Sequence, residues 1–262
     1  MNIVICVKQV PDTETKIKVK DGQVDHAETK YVVNPYDEYA IEEGLRIRER
    51  LGEGKITLVS TGPERVKDAL KSGLALGADE AIHLVDEAFE GSDPYATALI
   101  LSKAVAKLDY DIILCGKQGV DEDHAQVGII LAELLDLPHV SVVTKLEISE
   151  DRQAVVAHRE VEGGHEAVQA PLPSVITAQK GLNEPRYASI KGIMAVKKKV
   201  IPEWNATELG VEKNQAGAMA AKMTFLEVTL PPERTAGQVF AEDPVQDAIK
   251  VAHLLRDEAK IL

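Results

Sequence analysis

Strand-like and helix-like segments alternate four times in the first half of the chain, and this alternation limits the fold more than any other feature. Asn2 to Val7 is apolar at every position after the first, the pattern of a strand covered on both faces. From Tyr39 to Leu51, Ala40, Ile41, Leu45, Ile47 and Leu51 share one helical face, while Glu42, Glu43, Arg46, Arg48, Glu49 and Arg50 fill the rest. Lys55 to Ser60 is a second buried strand, stopped by Thr61, Gly62 and Pro63; Val66, Leu70, Leu74 and Leu76 then mark a helix ending at Gly77. A third strand, Glu80 to Val85, precedes a helix that Asp93 caps and Pro94 opens. Asp111 to Cys115 repeats the strand signal and Val127 to Leu135 the helix signal. Strands joined through helices with short connections predict an α/β fold built on a doubly wound, mostly parallel sheet.

Beyond Pro138 the pattern changes. VSVVTKLEIS, AVVAHREVEGGHEAVQA and SVITA are strand-like, and Glu162, Gly163 and Gly164 form a hairpin signal, so an antiparallel extension of the sheet is expected. After Thr177 comes a tract with Gly181, Pro185, Gly192 and the run Lys197, Lys198 and Lys199, which has little regular periodicity. From Trp204 to about Gly237 apolar residues are too scattered to form a core of their own. The last segment, from Pro244, is amphipathic through Val245, Ala248, Ile249, Ala252 and Leu255. The expected organisation is an α/β domain over residues 1–200, followed by an extended arm and helix over 201–262 that pack on another surface.

Charge and cysteine usage narrow the function classes. Forty-three acidic residues against 30 Lys and Arg give a formal net charge of -13, which disfavours nonspecific binding to nucleic acid or to anionic membrane. No apolar run approaches the ~20 residues of a membrane span, and the apolar part of the amino terminus is too short for a secretory signal. Cys6 and Cys115 fall in buried strands without metal-ligand spacing, as reduced core residues of a cytoplasmic protein would.

The stretch GKQGVDEDHAQVG, residues 116–128, lies between a strand and a helix, where open α/β sheets bind ligands. Two readings of its acids, Asp121, Glu122 and Asp123, are open. In one, backbone N–H groups near Gln126 and Val127 receive an anion while the acids turn away. In the other the acids only complement the helix dipole, worth about 0.3–1 kcal/mol each. No GxxxxGK[ST] loop and no GxGxxG occur. His124 has no Ser or Cys nucleophile beside it, and His83, His139, His158, His165 and His253 lack ligand spacing, so neither a catalytic residue nor a metal site is assigned.

Several stretches, taken together and in order, are similar to one family. They are VKQVPDT from Val7, NPYDEYAIEE from Asn34, LALGAD from Leu74, GKQGVDEDHAQVG from Gly116, REVEGGHEAVQAPLPSVIT from Arg159, LNEPRYASIKGIMAVKKK from Leu182 and PPERTAG from Pro231. On them the chain resembles the β subunit of electron transfer flavoprotein, a non-enzymatic electron carrier. The resemblance implies an adenine-nucleotide-binding, Rossmann-like domain that buries AMP and helps an α subunit hold FAD. It places Cys6, Asn34, Val59, Thr61, Asp121, Asp123, Ala125, Gln126 and Val127 around the AMP, with Gln126 and Val127 at the phosphate, and Tyr36 facing the flavin. Family members often carry Asn and Thr beside the glutamine; Ala125 and Val127 here leave backbone donors as the implied phosphate contacts. A loop near residues 184–199 is implied to dock acyl-CoA or related dehydrogenases of fatty acid oxidation, with Ile190 as anchor and Arg186, Tyr187 and Met194 around it. Glu160 is implied to steer the mobile flavin domain, and electrons to pass towards a quinone oxidoreductase. The implied compartment is the bacterial or archaeal cytosol, or the mitochondrial matrix in a eukaryote.

Two alternatives remain open on sequence. Some family members hold a second FAD in place of AMP and bifurcate electrons from NADH, and DEDHAQVG partly resembles those. A stand-alone nucleotide-binding stress or signalling module would explain the sheet and the acidic turn, but not the tract from Arg159 to Lys199.

Overall fold

The continuous apolar runs form the middle of one nine-stranded sheet. The computed structural model describes residues 1–20, 22–232 and 236–261, without the side chain of Lys213. Glu233, Arg234 and Thr235 of the PPERTAG motif lie outside the described residues. The chain divides into two units, Met1–Glu227 and Val228–Leu262.

In the first unit β1 (Asn2–Cys6) is followed by four three-residue strands, β2 (Gln9–Pro11), β3 (Lys18–Lys20), β4 (Gln23–Asp25) and β5 (Tyr31–Val33). Then come α1 (Pro35–Leu51), β6 (Lys55–Thr61), α2 (Val66–Leu76), β7 (Glu80–Leu84), α3 (Pro94–Val105), β8 (Ile112–Gly116) and α4 (Val127–Leu134). Strands β9 (His139–Ile148), β10 (Ala154–Val161), β11 (Gly164–Pro171) and β12 (Ser174–Ala178) follow. The unit continues through α5 (Ile190–Val196), β13 (Glu203–Trp204), α6 (Ala206–Leu209) and α7 (Gly217–Ala220).

The large sheet runs β11-β10-β9-β12-β8-β1-β6-β7-β13. Every neighbouring pair from β9 to β13 is parallel, while β10 is antiparallel to both β9 and β11. This is the doubly wound sheet with an antiparallel extension that the pattern predicts. The hairpin closes at Val161 and Gly164, with Gly163 at φ 81°, a conformation that glycine adopts without a Cβ penalty. Strands β2 with β5 and β3 with β4 form two small antiparallel sheets, too short for alternation to reveal them.

Alternate residues of β1 feed two cores, because successive side chains leave a strand on opposite faces. Ile3, Ile5 and Val7 pack with Ile41, Leu45, Leu70 and Leu74 of α1 and α2. Val4 and Cys6 pack with Ile100, Leu101, Val105 and Leu131 of α3 and α4. Helix α1 starts four residues before the apolar face that announces it at Tyr39. Pro35 sits at its beginning, where its missing N–H leaves no bond unmade, and the first turn buries the polar Asp37. Residues 203–220, in the stretch expected to be an arm, are part of the first unit: β13 pairs with β7, and Ala206, Leu209, Val211 and Ala216 join the second core.

Helices α1 and α2 lie close on the sheet because each has a glycine facing it. A Cβ on Gly44 would meet Ile5 Cδ1 at 2.8 Å, and one on Gly73 would collide with Leu58 Cδ1. Both partners are wholly buried. Gly73→Val is therefore expected to destabilise the chain by about 1–3 kcal/mol through overpacking. The check is urea unfolding: the midpoint should fall at an unchanged m value.

In the second unit α8 (Pro244–His253) continues into a π-helical turn, Leu254–Glu258. The Asp243 carboxylate caps it by accepting from Val245 N and Gln246 N, and Pro244 opens it. Among the described residues no helix is long and apolar enough to cross a membrane.

Candidate functional site: a cleft at the strand-order reversal

From β1 the chain builds outwards to β6 and β7, then returns to β8 on the other side of β1. Strand order thus reverses between β1 and β8, where Cys6 is the register partner of Cys115. A cleft of about 360 Å³ opens there at the carboxyl ends of both strands, where open α/β sheets bind ligands. That volume is at the small end of ligand sites.

One side of the cleft is the turn between β8 and α4. Asp123 and Ala125 have φ of 54° and 53°, which side-chain-bearing residues rarely adopt. Ala125 is followed by Gln126 in the right-handed region at φ -113° and ψ -35°. A left-handed residue followed by a right-handed one turns successive N–H groups into one concavity, a geometry that binds anions. Gln126 precedes Val127 and Gly128 at the start of α4, and no side chain caps this helix, so its first N–H groups face the cleft uncapped.

The acids that precede this turn are paired, Glu122 at the lining of the cleft itself. Lys8 Nζ lies 2.8 Å from Asp121 Oδ1 and 3.0 Å from Glu122 Oε2, while Gln118 Nε2 donates to Asp123. Burial acts to lower the Lys8 pKa, and the pairing with Asp121 and Glu122 outweighs it, so the ammonium is held above its ordinary value. The acidic run is thus partly neutralised where it borders the cleft. His124 Nδ1 is buried without a hydrogen-bond partner, 3.8 Å from Glu122.

Of the residues implied to surround a nucleotide, Cys6, Asn34, Thr61, Ala125, Gln126 and Val127 line this cleft together. Val59 lies wholly buried in the core behind it. Asp121 and Asp123 belong to the same turn through the contacts just described. Asn34 has little to offer a ligand: Nδ2 donates to Asp37 Oδ1 (2.9 Å) and to the Gln118 carbonyl (2.8 Å), and Oδ1 accepts from Val120 N (3.2 Å). It positions the β8 turn against α1. Tyr36, next to it, has Lys117 Nζ 5.4 Å from its ring centroid. Cys6 and Cys115 are free thiols; contact with Cys6, together with burial, holds the Cys115 thiol well above its ordinary pKa, so it is protonated and a poor nucleophile.

Several residues of the site were not legible in the sequence. Asp37 is buried and accepts from Lys8 N (2.6 Å), Asn34 Nδ2 (2.9 Å) and Gly116 N (3.0 Å), joining α1 to both strand ends. Only its place three residues after Asn34 hinted at this. Met223 and Phe225 come from far along the chain, where no periodicity marks them.

The implied docking residues lie elsewhere in the first unit. Tyr187 and Ile190 are 99% and 83% exposed, with Ile193 and Met194 also exposed beside them. Arg186 points inward: its guanidinium contacts Glu42 at 2.8 and 3.0 Å and Glu49 at 2.5 and 2.9 Å. Near the other end of the loop, Lys199 Nζ donates to the carbonyls of Ala78 (2.9 Å) and Asp79 (2.7 Å). Glu160, on β10, accepts from Gln179 Nε2 at 2.9 Å.

Comparison with known proteins places these features in context. A family model described as "Electron transfer flavoprotein domain" matches residues 21–209. Relatives include the "Electron transfer flavoprotein subunit beta" of Thermoanaerobacterium thermosaccharolyticum, 42% identical over 95% of each chain. Those of Bacillus subtilis, 38% identical over 100% of each chain, and of Megasphaera elsdenii, 39% identical over 95% of each, carry the same description.

Proposed function

Because the chain belongs to the electron transfer flavoprotein family, we propose that it is the β subunit of a heterodimeric electron carrier that keeps AMP in the strand-reversal cleft as a structural ligand. FAD, shared with an α subunit, supplies the redox chemistry when bound, and the protein supplies position and electrostatics. The observation that carries the AMP assignment is the uncapped start of α4, entered through Ala125 in its left-handed conformation. Backbone donors of this kind hold a monophosphate without basic side chains. The cleft volume of about 360 Å³ suits one nucleotide better than two.

In this reading Cys6, Thr61, Gln126 and Val127 contact the AMP, Asn34 and Asp37 hold the surrounding loops, and Tyr36 faces the flavin. The exposed group of Tyr187, Ile190 and Met194 docks acyl-CoA or related dehydrogenases, and Arg186 fixes the base of that loop. Residues 201–262 include the arm and helix that embrace the α subunit. Glu160 influences the mobile flavin domain, and electrons pass on towards a quinone oxidoreductase, all in the cytoplasm.

Nucleotide extraction from the purified heterodimer tests this directly. One FAD and one AMP per heterodimer are expected after denaturation. Two FAD and no AMP would replace this reading by a bifurcating one, and a stable chain that takes no flavoprotein partner would point to a signalling module.

A further inference from the structure

One wall of the cleft comes from outside the sheet and its crossover helices. Met223 and Phe225 line it from residues 221–227, a stretch with neither helix nor strand. One carboxylate makes two of the bonds that hold this stretch. Asp93 Oδ1 caps α3 by accepting from Ala96 N at 2.8 Å, while Oδ2 accepts from Lys222 N at 2.6 Å and Met223 N at 3.0 Å. Lys222 Nζ also lies 5.0 Å from the Tyr95 ring centroid. The strap is thus tied to the start of α3, which itself borders the cleft through Pro94 and Thr97.

Phe225 carries the chemical signal. Its ring lies beside that of His124, with centroids 6.4 Å apart and planes 26° from parallel, yet the residue is 68% exposed. An aromatic ring left in water at the mouth of a cleft gains when a flat apolar surface covers it. A nucleobase offers such a surface, and base–aromatic stacking tolerates any base because each has a π-face. The anion-accepting start of α4 and the aromatic strap are two distinct surfaces of one cleft, as a nucleoside monophosphate requires.

We propose that Phe225, with Met223 beside it and Asp93 holding both in place, forms the base-binding wall of the cleft. The base of a bound mononucleotide stacks on Phe225 while its phosphate lies on the backbone between Ala125 and Gly128. Asp93, which itself lines the cleft, acts as a positioning residue through its bonds to Lys222 N and Met223 N. The assignment rests on the reading that this cleft takes AMP and adds to it which residues recognise the base.

The test is titration of the nucleotide-stripped heterodimer with AMP and, separately, with ribose 5-phosphate, which has the phosphate but no base. Phe225→Ala should weaken AMP by at least about fivefold, the lower part of the range for losing one base–aromatic stack. It should leave ribose 5-phosphate binding and FAD content unchanged. Asp93→Asn should also weaken AMP: the amide oxygen still caps α3, but the amide nitrogen now faces the N–H groups of Lys222 and Met223. Phe225→Tyr should restore AMP affinity. Wild-type binding of AMP with no change in Phe225→Ala would overturn the base wall alone. Failure of the wild type to bind AMP would overturn it together with the mononucleotide reading, and equal weakening of AMP and ribose 5-phosphate would reduce Phe225 to a structural role.

Discussion

Replacing Asp37 by alanine is expected to destabilise the chain by about 2–6 kcal/mol and to loosen the cleft. Asp37 is buried, and two of its three hydrogen-bond donors are backbone groups, Lys8 N just after β1 and Gly116 N at the end of β8. Alanine would leave both N–H groups without their acceptor, and an unsatisfied buried donor costs about 1–3 kcal/mol. Asn34 Nδ2 would keep its second acceptor, the Gln118 carbonyl. Asparagine keeps an oxygen for Asn34 Nδ2 and Gly116 N but turns its NH2 towards Lys8 N, so Asp37→Asn should lose about 1–3 kcal/mol.

The same residue makes stability depend on pH. Burial pushes the Asp37 carboxyl up from 3.8 to about 7, with the donors from Lys8, Asn34 and Gly116 opposing the shift. The folded chain therefore holds this proton more tightly than the unfolded one. The contribution is complete below pH about 4 and is lost as pH rises through about 7. Between pH 5 and pH 8 the loss should be about 2–3 kcal/mol, at 1.36 kcal/mol per unit. Urea midpoints of the wild type and of Asp37→Asn at the two pH values check this. A wild type whose change with pH matches that of the variant would refute it.

If the loop docks dehydrogenases as proposed, truncating Ile190 to alanine is expected to slow electron transfer from a partner dehydrogenase by about 30-fold or more, through weaker docking. A side chain 83% exposed has little packing of its own to lose, so AMP and FAD contents and the melting temperature should stay as they are. A buried aliphatic anchor at the centre of an interface reaches 2 kcal/mol or more, which corresponds to the factor of about 30. Rates measured against flavoprotein concentration should show a raised KM with kcat little changed. Normal transfer at low concentration would remove Ile190 from the interface.

The sheet was readable in advance because its strands, such as Ile3–Cys6 and Ile112–Cys115, are apolar at every position, and a run covered on both faces has few other folds available. The antiparallel hairpin was readable for a different reason, since Gly163 and Gly164 punctuate it. Periodicity starts helix α1 late, at Tyr39, because its first turn buries Asp37, a polar residue invisible to hydrophobic periodicity. The cleft was half legible: the turn from Gly116 to Gly128 stands out in the chain, but its acids could not be oriented without Lys8, more than a hundred residues away. Phe225 and Met223 gave no signal at all. Their place in the cleft comes from a bond between Asp93 and a stretch with no secondary structure, which depends on tertiary placement alone.

The loop that carries Ile190 is fastened near both ends, by Arg186 to two glutamates of α1 and by Lys199 to the carbonyls that follow α2. A carrier that shuttles between donor and acceptor must release each partner quickly, and residence time is governed mainly by dissociation rather than by encounter. In the proposed docking role a preformed perch would lose little freedom on contact, so a few apolar atoms would be enough for recognition, without a larger, slower-parting interface. Brief visits, repeated often, are what a loop fastened in this way would permit in the proposed docking role.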